Sequence, residues 1–144
     1  MIDLDEIDRT RPPQTPELPA FRLPAVFETR LRNGLEVVLV EDRRFPLVTA
    51  RLGFQAGSKY DPPELAGLAE GTGALLTEGT SQRTARQIAE EVASIGGLLR
   101  GDASADSLLL EGSALAESLP RLLELMADAV GGAVLADGIL ELDD

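Results

Sequence analysis

The stretch Leu47-Val48-Thr49-Ala50-Arg51-Leu52-Gly53-Phe54-Gln55-Ala56, followed by Gly57-Ser58-Lys59-Tyr60-Asp61-Pro62-Pro63, reads as a strand, a turn and the start of a helix. Val48, Ala50, Leu52 and Phe54 alternate with Thr49, Arg51, Gly53 and Gln55, the period of a strand with one buried and one wet face. Asp61 supplies a capping carboxylate, and proline suits the first helical positions, so a helix is predicted from Pro63 to Thr77. Its middle carries Gly67, Gly71 and Gly73. At about 1 kcal/mol each relative to alanine they weaken it, so packing must hold it.

Upstream, Val26 to Leu31 and Leu35 to Val40 flank Asn33-Gly34, the signal of a tight hairpin. The second run is nearly continuous in apolar residues and is predicted to be central in the sheet, with Leu39 in the core. Downstream, Thr84-Ala85-Arg86-Gln87 has the capping-box pattern, Ile88, Val92 and Ile95 share a helix face, and Gly96-Gly97 supplies a stop. Strands over Leu98 to Ala103 and Ser107 to Ser113 follow, joined by a turn at Ser104 to Asp106. A last helix repeats Leu119, Leu122, Leu123, Met126, Ala129 and Val130 at helical spacing, with Ser118 as its expected cap. The order is three strands, two helices, two strands, one helix. The fold class is α+β, an antiparallel-rich sheet with helices packed on one face. Residues 1–24, with five prolines among them, are expected to be an extended arm, and residues 25–144 a partial domain.

Composition narrows the chemistry. The chain has 144 residues, 25 acidic and 13 basic, for a net charge of −12, which disfavours nucleic acid and anionic membrane surfaces as partners. Histidine and cysteine are both absent, which removes the usual zinc ligands, the commonest general base and thiolate chemistry. No apolar run approaches the roughly 20 residues of a membrane-spanning helix, so membrane insertion is not expected. Met1 to Thr10 has no basic start or apolar stretch of a signal peptide; a cytoplasmic or periplasmic location is expected.

Several phrases together resemble the N-terminal half-domain of the pitrilysin/insulinase family of zinc peptidases. They are Leu31-Arg32-Asn33-Gly34-Leu35-Glu36-Val37, Pro46-Leu47-Val48, Phe54 to Pro62, Gly67-Leu68-Ala69, Leu75-Leu76-Thr77-Glu78-Gly79-Thr80, Ile88-Ala89-Glu90, Gly96-Gly97 and Leu122 to Val130. The resemblance implies that Gly-Leu-Ala should lead into His-x-x-Glu-His, whose histidines hold zinc and whose glutamate activates water. Those three positions are Glu70, Gly73 and Ala74 here. The third ligand of the family is expected past Asp144, so the chain is read as a degenerate half-domain, truncated at its C-terminus. No metal or cofactor and no peptidase activity are expected.

The family's edge strand, on which extended substrates pair, corresponds to Leu98-Leu99-Arg100-Gly101, where Arg100-Gly101 replaces the usual Asn-Ala. The resemblance therefore implies a chamber-forming or interaction subunit that holds peptide or unfolded polypeptide for an active partner and associates through an incomplete core. A fragment without independent activity and a metal-independent hydrolase are the alternatives. Other polar groups have plainer readings. Glu70 is expected as a solvated or cleft-lining carboxylate, too far along the chain from Glu64 and Glu78 for them to join it, Glu78 to interact with the following turn, Glu90-Glu91 as a wet helix face, Asp102 and Asp106 as turn formers, and Arg83 as a surface ion pair. Ser58 has no base to activate it.

Overall fold

The computed structural model describes residues 24–133, in two units that divide at Arg43 and Arg44. The expected proline-rich arm and the acidic tail from Glu141 lie outside the described residues.

The described part of the first unit is a hairpin of β1 (Val26–Arg30) and β2 (Glu36–Val40), paired antiparallel with Val26 opposite Val40 and Arg30 opposite Glu36. Its connection is not the two-residue turn that Asn33-Gly34 signals. Five residues, Leu31 to Leu35, close it, with the Leu31 N–H donating to the Leu35 carbonyl at 2.8 Å and Gly34 at φ 90°. Asn33 keeps a negative φ and accepts from the Leu35 N–H through its side chain at 3.1 Å. Among the described residues β2 pairs with β1 alone and is not central in a large sheet, and Leu39 is 58% exposed. A continuous apolar run does not say which face is covered, and here it does not mark a core strand.

The second unit holds β3 (Leu47–Phe54), α1 (Leu68–Leu75), α2 (Ala85–Ser94), β4 (Leu98–Ala103), β5 (Leu108–Leu115) and α3 (Leu119–Gly132). The order of elements is the one the sequence predicts. The strands form an antiparallel sheet ordered β3-β5-β4, with Leu52 and Gly101 both opposite Leu110. Alternation then sorts the side chains by face. Val48, Ala50, Leu52, Leu108, Leu110, Ala114, Leu99 and Ala103 take one side and pack with Leu76, Leu122, Met126 and Ala129 from the helices. Helices on one face of an antiparallel sheet make the unit α+β. On the opposite face Glu111 of the central strand stands between Arg51 at 2.5 Å and Arg100 at 3.6 Å.

Two helices depart from expectation at their starts. The helix predicted from Pro63 to Thr77 is split into a single 3-10 turn at Pro63–Leu65 and α1, because Gly67 takes φ +94° and breaks the helical path. Asp61 still caps α1 from a distance, accepting the Gly67 N–H at 3.0 Å and the Ala69 N–H at 3.1 Å. Ser118 makes no capping bond to α3; it ends a 3-10 turn, Ala116–Ser118, that runs into the helix. In α3, Leu122, Leu125, Met126 and Ala129 are buried, at the i, i+3, i+4, i+7 spacing of one face, whereas Leu123 is turned away and 46% exposed. The capping box of α2 forms as read: the Gln87 N–H donates to Thr84 Oγ1 at 3.3 Å, and Gln87 Oε1 accepts the Thr84 N–H at 2.9 Å.

Candidate functional site

Helix α1 crosses β4 at two glycines, and this crossing is the centre of the candidate site. A Cβ built on Gly101 would lie 2.0 Å from the Gly73 carbonyl oxygen, and one built on Gly73 would lie 3.1 Å from the Asp102 carbonyl carbon. Helix and strand therefore meet backbone to backbone, closer than a side chain at residue 101 allows. Ala69 and Gly73, one turn apart, form the buried side of α1. Glu70 and Ala74, also one turn apart, are exposed.

Of the three residues that the resemblance sets at the motif positions, Glu70 and Ala74 share an exposed side, while Gly73 is sealed against the strand. Zinc at a catalytic site takes about three nitrogen, sulfur or carboxylate ligands. Glu70 offers one carboxylate, and Gly73 and Ala74 offer no ligand atom in their side chains. Among the described residues no group of three or more His, Cys, Asp or Glu gathers where a metal could be held. This donor set does not fit zinc.

The second set of candidate residues lies on β4, which among the described residues is an edge strand of its sheet, paired on one side by β5. Leu98 is 53% exposed, Leu99 packs partly into the core, Arg100 reaches Glu111 across the outer face, and Gly101 meets α1. Both sets thus come together, through Gly73 and Gly101. Beside the first half of β4 a groove of about 520 Å³ opens between this strand and α2, lined by residues that include Glu78, Ile88, Val92, Leu98 and Leu99.

The remaining polar candidates are spread apart. Glu64 sits in the Pro63–Leu65 turn, and Glu90 pairs with Arg86 at 2.7 Å on the wet side of α2. Asp106 pairs with Lys59 at 2.5 Å, and the Lys59 ammonium lies 5.0 Å from the Tyr60 ring centre. These contacts dock the Ser58–Tyr60 turn on the β4–β5 connection, where the Ser58 N–H also donates to the Ser104 carbonyl at 2.9 Å.

Arg83 corrects the expectation of a surface ion pair. Its side chain is 18% exposed and donates to Asp128 at 2.5 Å and to Glu91 at 3.2 Å. Asp128 also accepts the Thr80 hydroxyl at 2.9 Å, and Arg121 reaches Glu91 at 2.6 Å. Asp128 first, and Glu91 second, push the Arg83 guanidinium above its ordinary pKa, so it stays charged at any working pH. Glu91 is accordingly no wet-face residue; it joins α2 to α3. This network was hidden in the sequence because Arg83 and Asp128 are 45 residues apart.

Comparison with known proteins agrees with the fold. Residues 36–141 match the family model for insulinase, peptidase family M16. A protein of Rickettsia bellii, named an uncharacterised zinc protease, is 30% identical over 109 residues, covering 76% of this chain and 26% of the relative. The beta subunit of the rat mitochondrial-processing peptidase is 27% identical over 134 residues, covering 93% of this chain and 27% of that subunit. The solved structure of an inactive domain of a Pseudomonas fluorescens M16 peptidase is similar with a TM-score of 0.66 and 29% identity, over 77% of this chain and 27% of that one. The chain spans about a quarter of the length of these curated relatives. By this match over most of its length, the chain belongs to the insulinase family of peptidases, family M16.

Proposed function

We propose that this chain is a non-catalytic member of its family that holds extended peptide along the edge of β4, as a wall-forming subunit beside an active partner. The carrying observation is the junction of α1 and β4: the position of the family's base is a glycine pressed onto the strand, while the strand remains at the sheet's edge. Hydrolysis has lost its means, and main-chain pairing has kept its own. An edge strand offers alternate N–H and C=O groups to an added strand, and this pairing does not depend on the replaced Asn-Ala side chains. Support for a partner comes from the rat relative, which is a subunit of a peptidase, and for inactivity from the Pseudomonas fluorescens domain.

Pairing is tested with a fluorescein-labelled, unstructured Ser/Thr-rich peptide and with two N-methylated forms of it, one methylated at the odd-numbered and one at the even-numbered residues. Each methyl group removes one main-chain donor and blocks close approach. The unmodified peptide is expected to bind and one of the two methylated registers to bind about tenfold or more weakly, the loss of one or two hydrogen bonds. Equal binding of all three peptides would sink the reading.

Inactivity predicts a separate result. Protein purified without chelator and dialysed is expected to carry far less than one zinc per chain, and the combined change Glu70→His, Gly73→Glu, Ala74→His is expected to restore no cleavage of a casein substrate. Stoichiometric zinc in the unaltered chain would overturn the non-catalytic assignment.

A further inference from the structure

Asn33 is the single asparagine of the chain, and the residue after it is Gly34. Both are exposed, at the closed end of the β1–β2 hairpin. Their order sets a main-chain nitrogen, that of Gly34, beside a side-chain amide carbon, that of Asn33, and an imide ring closes when the two join. Glycine has no Cβ to obstruct this approach. The loop from Leu31 to Leu35 holds each reacting group by one hydrogen bond. The Leu35 N–H donates to Asn33 Oδ1 at 3.1 Å, which polarises the amide carbon and stabilises the oxygen as it gains charge under attack. The Gly34 N–H donates to the Leu31 carbonyl at 2.9 Å, and that bond must open before the nitrogen can lose its proton and turn on Asn33. Among the described residues β1 and β2 pair only with each other, and a two-stranded hairpin resists such opening only weakly.

We propose that Asn33 is a self-modifying site, converting to iso-aspartate and aspartate without an enzyme, at a rate set by the opening of its loop. The Gly34 nitrogen gives its proton to solvent base and bonds to Asn33 Cγ. The bond from that carbon to the side-chain nitrogen then breaks, and the nitrogen leaves as ammonia with a proton from water. Water opens the ring. Addition at Cγ restores the original main chain with an aspartate, whereas addition at the main-chain carbonyl carbon of Asn33 leaves the chain running through Cβ and Cγ, as iso-aspartate. In either case a water is taken up and an ammonia released. Iso-aspartate lengthens by a carbon a loop that the Leu31 N–H closes on the Leu35 carbonyl at 2.8 Å. That closure loosens, and with it the Arg30–Glu36 ion pair beside it.

The test holds the full chain in mildly alkaline buffer made with heavy-oxygen water and follows it by peptide mapping, beside a synthetic peptide of Thr29 to Glu36 and the variant Asn33→Gln. Asn33 is expected to show the mass change of NH2 becoming OH, with heavy oxygen incorporated and iso-aspartate among the products. Conversion is expected to run about tenfold more slowly than in the free peptide, because the folded loop engages the Gly34 N–H. Asn33→Gln, whose longer side chain needs a wider ring, is expected to stay unchanged over the same time. Trypsin is expected to cut after Arg30 faster in the aged chain than in the fresh one, and no faster in fresh Asn33→Asp, which has the new charge without the added carbon. An intact Asn33 in the folded chain, once the peptide has converted, would overturn the proposal. Equal rates in chain and peptide would refute the loop's part in setting the rate. Equal cutting of aged and fresh chains, or faster cutting of Asn33→Asp, would refute the loosening by the added carbon.

Discussion

Leu122→Ala is expected to lower the stability of the second unit by about 2 to 5 kcal/mol, read as the urea midpoint at constant slope. Leu122 is fully buried and lies in one cluster with Leu76, Leu110 and Met126, where α3 crosses the sheet. Removing three carbons there leaves a void that neither the rigid strand nor the helix can close. Leu110→Ala, on the central strand and equally buried, is expected to lose a similar amount. Leu123→Ala, next door on α3 but 46% exposed, is expected to lose well under about 1 kcal/mol. Similar midpoints for Leu122→Ala and Leu123→Ala would show that α3 presents a different face to the sheet.

Gly101→Val is the second large effect. Its first carbon alone would stand 2.0 Å from the Gly73 oxygen, where about 3.4 Å is ordinary contact, and the obstacle is backbone on a helix rather than a movable side-chain tip. The helix must lift from the strand or the strand must bend. Either response opens the α1 side of the core, and the expected cost is about 3 kcal/mol or more. Gly73→Ala meets its neighbours at 3.1 to 3.3 Å and is expected to be milder. A Gly101→Val chain as stable as the parent would mean that α1 does not rest on β4 in solution.

What the sequence disclosed was local. The alternation from Val48 to Leu52, the Thr84–Gln87 box and the glycine stop after Ile95 each depend on residues a few positions apart, and each has its expected place in the fold, whereas Phe54, at the end of that alternation, is 36% exposed and outside the core. Readings that needed a covered face failed. Leu39 sits in the apolar run Val37 to Val40 with no alternation to orient it, and Leu123 sits beside Leu122 on a helix where Leu125-Met126 follow, so that apolar residues fall on two helical faces. Glu70, Gly73 and Ala74 follow from the resemblance by their spacing after Gly67-Leu68-Ala69. The closure of Gly73 against Gly101 does not, because only folding brings residues 73 and 101 together. The groove was likewise out of reach: it exists because α2 runs beside β4, and no residue of its wall is unusual alone.

The Arg83 network has a further consequence, for the order in which the molecule opens. The Ser81 N–H donates to the Gly132 carbonyl at 2.7 Å, Thr80 and Arg83 both hold Asp128 on α3, and Arg83 and Arg121 share Glu91 on α2. The connection before α2, α2 itself and the far half of α3 are therefore stitched at three points of the chain. None can swing out without leaving a charge or donor unpaired, so they should open together as one cooperative piece. Helix α1 stands outside that stitching. Short, glycine-rich and tethered at its start by the Asp61 carboxylate, it is expected to exchange its amide hydrogens separately from that piece, through smaller fluctuations of its own at the junction with β4.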